Sequence, residues 1–195
     1  HSFPTRRSSD LDVAPTLLGL LNLDYVSTFF GRNLLRADAP AHNWHQVAMN
    51  DVVLFGNSRL HPMDYTVYCD GAFVSRYRSD GVIIATPTGS TAYSLSAGGP
   101  VVEPTASLIV ITPICSHALN TSSVVLSAED DVEVEICEGR YGRQEKVALC
   151  YDGAVQRQLV SGDRVKIRKS DAKAHLVKLS EESFMITMRE KMKGN

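Results

Sequence analysis

From about Trp44 onward the chain is written in short apolar or alternating runs, at residues 46–55, 64–69, 72–78, 81–86, 107–111, 123–126, 132–137, 146–151, 164–168 and 175–179. Such runs, rich in Val, Ile, Thr and Tyr, predict strands, and ten of them at this spacing predict a sandwich or a pair of packed sheets. Two turns are explicit. Asp70-Gly71 and Asp152-Gly153 each stand between strand-like runs, where a hairpin needs positive φ. Helical patterns are confined to a short stretch at 90–97 and a closing stretch at 182–192, where Phe184, Met185, Met188 and Met192 fall at helical spacing and read as a core-packing stripe.

Composition sets the outer bounds. With 195 residues, 44% of them hydrophobic and 22% charged, the chain can bury one ordinary core. A formal charge of −2 supplies no bulk field for nucleic acid or an acidic membrane surface, so neither is expected as a partner and any phosphate site must be local. The longest apolar runs, such as 107–114, fall well short of the ~20 residues of a membrane-spanning helix, and no leader pattern opens the chain. The simplest expectation is a soluble, cytoplasmic protein. Cys69, Cys115, Cys137 and Cys150 form no CxxC pair and lie among strand-forming residues, which predicts reduced core thiols.

The first 43 residues read differently from the rest. Residues 1–11, HSFPTRRSSDL, match the translation in one frame of a sequencing-adapter oligonucleotide and are expected to be an artefact. Residues 12–35 have Asp12 as a cap, Pro15 in a first turn and Leu17, Leu18, Leu20 and Leu21 on one stripe, which predicts a short helix followed by a loop. This phrase resembles the late part of sulfatase-like and lipoteichoic-acid-synthase-like hydrolases, without any of that family's metal ligands. The Ala/Asp/Pro-rich run 36–43 reads as a linker or seam, so 12–43 is expected to be foreign or a linker, with the main domain at 44–195. The alternative is a genuine N-terminal helix docked on that domain.

The stretch with most chemistry is 76–100, RYRSDGVIIATPTGSTAYSLSAGGP. An apolar strand at 82–85 runs into Thr86, Pro87, Thr88, Gly89, Ser90 and Thr91, a hydroxyl-rich turn that opens a helix. Backbone N–H groups and hydroxyls there converge on one spot and suit phosphate or ribose oxygens, although an ordinary capped strand-turn-helix has the same form. Ala92, Ala97, Gly98 and Gly99 permit close approach by a ligand or a neighbouring backbone. Lone His117 has no second ligand at metal-binding spacing, His42 and His45 read as solvated, and no metal site is expected.

This phrase closely resembles the signature of the NAD kinase family, an acidic-Gly pair and apolar strand followed by TPTGSTAYSLSAGGP. Other family features follow in order: Asn50-Asp51 in AMNDVVL, TPICSHAL at 112–119, LCYDGAVQRQLVSGDRVKIRKS at 149–170, and the closing SFMITMREKMK. The resemblance covers about residues 45–193 and implies the family's C-terminal domain, two packed antiparallel sheets that bind NAD. The implied reaction is transfer of the ATP γ-phosphoryl group, with Mg²⁺ or another divalent cation, to the adenosine ribose 2′-hydroxyl of NAD, giving NADP. It also implies a homo-oligomer, dimer or tetramer.

By the same resemblance, Asn50 and Asp51 are ribose contacts, an assignment their chemistry fits: an amide both donates and accepts, and an ionised carboxylate only accepts. Asp80 corresponds to an acidic residue that holds the dinucleotide, often across a subunit interface. Thr88, Ser90, Thr91, Ala92 and Tyr93 correspond to the loop lining the pocket, with Tyr93 available for ring packing. Taken alone, Asn50-Asp51 could be a turn, Asp80 a solvated cap and Tyr93 a core ring.

Two departures qualify the match. The family's GGDG motif, whose glycines bind ATP phosphates and whose aspartate is the proposed base, does not occur in these residues, which hold only SDG, CDG and YDG. No catalytic residue is therefore expected in this chain, the N-terminal nucleotide-binding domain is expected to be missing, and the chain alone is expected to be inactive. Ser122 stands where the family commonly has Arg. The competing functions are a dinucleotide-binding module without catalysis and, resting on residues 12–35 only, a sulfatase-like hydrolase remnant.

Overall fold

The computed structural model describes residues 29–34, 45–57, 61–117, 122–171 and 183–193. Its strands are β1 (Phe29–Leu34), β2 (His45–Ala48), β3 (Asp51–Gly56), β4 (Met63–Cys69), β5 (Ala72–Ser79), β6 (Gly81–Ala85), β7 (Leu108–Ile114), β8 (Val124–Ser127), β9 (Val132–Ile136), β10 (Lys146–Tyr151), β11 (Ala154–Val160) and β12 (Arg164–Lys169). They form two six-stranded sheets, one in the order β2-β1-β12-β9-β4-β5 and the other β11-β10-β3-β6-β7-β8. Every pairing is antiparallel. The expected mostly β architecture of two packed antiparallel sheets is what the chain adopts.

Side-chain periodicity explains which strand lies where. In the first sheet, VEVEI of β9 and RVKIRK of β12 turn Val132, Val134, Ile136, Val165 and Ile167 to the core. The alternate positions carry Arg164, which bridges Glu133 at 2.8 Å and Glu135 at 3.0 Å and lies 5.5 Å from the centre of the Tyr68 ring. That face is therefore solvated. The central strands of the second sheet are apolar over 52–54, 81–85 and 108–111, where both faces are covered. Val52, Leu54, Val82, Ile84, Ile109 and Ile111 meet the first sheet, whereas Val53, Ile83, Ala85, Val110 and Ile114 form a second cluster against Ala97, Val102 and Leu108. Each fully covered Val, Leu or Ile contributes about 1.5–3 kcal/mol, and the segment that carries Ala97 and Val102 packs on this doubly buried region.

Both expected hairpin turns form, with φ of +50° and +78° at Asp70-Gly71 and +44° and +74° at Asp152-Gly153. Several expectations need correction. Residues 29–34, read as loop, form β1, which pairs with β12 and β2; an extended chain there satisfies backbone groups of β12 that would otherwise form a sheet edge. The single run 46–55 is two strands, because the chain leaves one sheet for the other at Met49–Asn50. β11 is an additional strand whose polar centre, Gln156, Arg157 and Gln158, belongs to a sheet edge and is offset by a bulge at Leu149/Cys150. The helix expected over 90–97 is broken at Ala92 (ψ −128°) into a 3₁₀ turn at Gly89–Thr91 and a four-residue helix α1 (Tyr93–Ser96).

The closing helix α2 (Phe184–Met192) starts at Ser183, whose hydroxyl accepts from the Ile186 N–H. Of its apolar stripe, Phe184 and Met188 are buried, but Met185 is exposed, so only part of it is core. The cysteines are free thiols, yet none is fully buried, and Cys115 is exposed at φ +47°: they sit at strand ends, not strand centres. Expectations for 1–28, 36–43 and 175–179 fall outside the described residues.

Candidate functional site

The site begins where the chain crosses between the sheets. Consecutive backbone N–H groups at such a crossover have no ladder partner on one side and require another acceptor. Here the acceptor is Asp152, from the hairpin joining β10 to β11. Its carboxylate takes the N–H of Met49 at 2.7 Å, of Asn50 at 2.7 Å and of Asp51 at 3.3 Å, and its own N–H donates back to the Asp51 carbonyl at 3.1 Å.

The hydroxyl-rich loop after β6 packs on this crossover. Thr86 donates its N–H to the Asn50 carbonyl and its hydroxyl to the Met49 carbonyl, both at 2.9 Å, and its oxygen accepts from the Gly89 N–H at 2.8 Å. A Cβ at position 89 would fall on the Asn50 carbonyl group, so glycine here serves close backbone approach. Ser90 is wholly buried, donates to the Pro87 carbonyl at 2.6 Å and accepts from the Val102 N–H at 3.0 Å. The Ser94 hydroxyl is 3.0 Å from that of Thr112, which is 3.1 Å from that of Ser123, and Gly99 leaves room for this chain. Thr86, Ser90 and Ser94 thus hold the loop in shape.

Two polar atoms at this junction stand apart. Asn50 Oδ1 and Thr88 Oγ1 are buried and have no hydrogen-bond partner among the described residues, although their residues are only 4% and 0% exposed. Buried polar atoms are nearly always paired, and an unpaired one costs about 1–3 kcal/mol. Both atoms belong to the facing segments that Gly89 brings together. Of the other expected site residues, Thr91 and Ala92 are half-buried in the same loop, and Tyr93 is exposed at the start of α1. Asp80 lies half-buried between β5 and β6, within electrostatic reach of Tyr93.

Burial, reinforced by the Asp152 carboxylate, raises the Asp51 carboxyl from 3.8 to about 7. The Tyr93 hydroxyl is raised as well, first by burial and then by Cys115, Asp51 and Asp80. Raising the folded-state value of an acid favours its neutral form. The stability this contributes is fully present below about pH 4 and is lost as pH rises to and through 7. Asp51→Asn is therefore expected to be more stable than the unchanged protein at pH 8, by about 1–4 kcal/mol, with the gap closing in acid. Urea unfolding across pH checks this, and a gap independent of pH would contradict it.

Asp152 is the residue that sequence reasoning misses here. Its Asp-Gly turn is legible, but its long-range acceptor role follows only from the crossover. Elsewhere, a polar depression lined by Glu129, Asp131, Arg168 and Lys169 has Lys169 already paired to Glu129 at 2.6 Å. Cys69, Asp70 and Asp130 cluster at the other Asp-Gly hairpin, but Asp70 and Asp130 already accept from the N–H groups of Asp131 and Ser127.

Residues 49–179 match the sequence profile of the ATP-NAD kinase C-terminal domain. The chain belongs to the NAD kinase family. Relatives include an NAD kinase of Agathobacter rectalis, 41% identical over 150 residues (77% of this chain and 53% of the relative). Another is an NAD kinase of Caldicellulosiruptor saccharolyticus, 42% identical over 146 residues (75% and 54%). Among solved structures, yeast NADH kinase complexed with NADH superposes with a TM-score of 0.77 at 30% identity, covering 89% of this chain and 49% of that one. An NAD kinase from Archaeoglobus fulgidus in complex with ATP gives a TM-score of 0.66 at 26% identity, covering 88% and 62%. The chain thus spans about half the length of the family relatives it matches. Among the described residues, no helix is long and apolar enough to cross a membrane.

Proposed function

We propose that this domain carries the NAD-binding surface of an enzyme that transfers the γ-phosphoryl group of ATP to the adenosine ribose 2′-hydroxyl of NAD. The observation that carries this reading is the pair of buried, unpartnered atoms Asn50 Oδ1 and Thr88 Oγ1 beside Asp51. When ionised, Asp51 accepts from a ribose hydroxyl, the Asn50 carbonyl oxygen accepts from another, and Thr88 can donate or accept. Thr91 and Ala92 line the loop, Tyr93 offers a ring face, and Ser90 contributes by holding the turn. The complexes of yeast NADH kinase with NADH and of the Archaeoglobus enzyme with ATP support the choice of ligands.

In the reaction the 2′-oxygen forms the new bond to the γ-phosphorus, the bond to the β–γ bridging oxygen breaks, and the 2′-hydroxyl proton passes to a base. Positioning and charge stabilisation account for most of the acceleration in this class. These residues supply the positioning half. The divalent cation that accompanies ATP neutralises phosphate charge, but the carboxylates at this junction do not suit it. Asp152 already accepts three N–H groups, and Asp51 is half protonated near neutrality. The 195 residues contain no GGDG, which supports a second reading, a binding module without catalysis.

Calorimetric titration of the chain with NAD tests the reading. Binding is expected, with Asn50→Ala weakening it about tenfold or more, the scale of a buried group left unpaired. We further propose that Asp80 completes the pocket of a neighbouring subunit in a dimer or tetramer. Asp80→Ala should then weaken NAD binding only where sedimentation shows self-association. Absence of binding, or an Asn50→Ala variant that binds like the unchanged chain, would contradict the reading.

A further inference from the structure

The Asp152-Gly153 turn needs positive φ at both residues, a requirement that Asn-Gly or Gly-Gly also meets. It does not explain a carboxylate. What does is the set of three consecutive N–H groups, from residues about a hundred positions away, that converge on its two oxygens, Met49 on Oδ2 and Asn50 and Asp51 on Oδ1. Only an ionised carboxylate accepts at both oxygens; Asn would turn an NH₂ group toward one of these donors. The contrast within the same molecule is informative. The aspartate of the other hairpin, Asp70, accepts one backbone N–H among the described residues, that of Asp131, at 2.9 Å.

We propose that Asp152 is the positioning residue of the dinucleotide site, its carboxylate fixing the Asn50–Asp51 crossover through three backbone N–H groups while its charge faces Asp51. This rests on the NAD-binding reading given above. Two consequences follow. Fixing the crossover holds Asn50 Oδ1 in its buried, unpartnered position, because the backbone on either side of it cannot rotate without breaking the clamp. The same carboxylate opposes ionisation of Asp51, so the group that accepts ribose hydroxyls becomes fully charged only as pH passes neutrality. Among the described residues, the other titratable groups within electrostatic reach of Asp51 are Tyr93 on α1 and Cys150 on β10, and Tyr93 in turn feels Asp80 and Cys115. None of these is a cation, so Asp152 carries the largest specific charge effect on Asp51, and NAD affinity is expected to rise from acid through about pH 7.

Asp152→Asn, compared with the unchanged chain by NAD calorimetry across pH, separates positioning from mere folding. The expected result is an affinity at least about tenfold lower at alkaline pH and a pH midpoint displaced downward by roughly one unit. Carbon-13 titration of the Asp51 carboxyl without NAD should show the same displacement. Unchanged affinity and midpoint would overturn the proposal, as would a uniform loss of affinity at every pH with the Asp51 titration unmoved. If the unchanged chain binds no NAD, the functional reading fails, while the Asp51 titration in the variant still decides on the clamp. Should Asp152→Asn fail to fold, the unchanged protein decides. Slow amide exchange at Met49, Asn50 and Asp51 supports the proposal, and fast exchange of these three amides overturns it.

Discussion

Gly89→Ala is expected to abolish NAD binding and to destabilise the domain by about 3 kcal/mol, the upper range for forcing atoms into a packed interior. The added methyl meets the carbonyl oxygen, carbonyl carbon and Cα of Asn50, which are backbone atoms of a segment already fixed by Thr86 and Asp152. No side chain can swing away. Relief therefore requires the loop at 86–91 to separate from the crossover, which parts Thr88 from Asn50. Gly71→Ala is the control. It is strained at φ +78° but meets no atom within 4 Å, and should cost about 1 kcal/mol through backbone conformation alone. Equal stability and unchanged NAD affinity for Gly89→Ala would show that the loop and crossover do not form one unit.

The 195-residue polypeptide is expected to form no detectable NADP from NAD, ATP and Mg²⁺, measured with an NADP-specific dehydrogenase as the coupling enzyme. It contains the ribose-binding groups proposed above but no GGDG motif, and preorganised charge stabilisation is worth about 10²–10³ in rate for each donor removed. Fusion of a family N-terminal domain ahead of Phe29 should restore turnover. That junction keeps β1 on β12, which a junction at residue 44 would not. Turnover by the chain alone would mean that a base lies within these 195 residues, with Asp51 the first to test because its carboxyl titrates near neutrality.

How legible the molecule is from its residues depends on the range of the interactions involved. The β9 and β12 alternation and the apolar runs 81–85 of β6 and 108–111 of β7 state their own burial, on one face or two, because each strand's pattern is local. The Asp-Gly turns are legible for the same reason. The break at Met49–Asn50 is not, since both sides of it are strand-like and only the choice of sheet differs. β1 escapes because its Gly31 and Asn33 favour turns in isolation, and pairing with β12 overrides that preference. At the site, Asn50, Asp51 and the 86–93 loop come from wording that resembles a family. Asp152 needs the three-dimensional path of the chain, as its N–H donors lie about a hundred positions away in sequence.

The most direct test of the central claim, that NAD docks where the 86–93 loop meets the crossover, is a titration of ¹⁵N-labelled chain with NAD followed by amide resonances. The account predicts that the Asn50 side-chain amide and the backbone amides of Thr88, Gly89 and Tyr93 shift together and saturate. The Asp70-Gly71 hairpin and the depression at Glu129 and Arg168 should stay unmoved. Shifts confined to that depression, or none at Asn50 and Thr88 at saturating NAD, would contradict it.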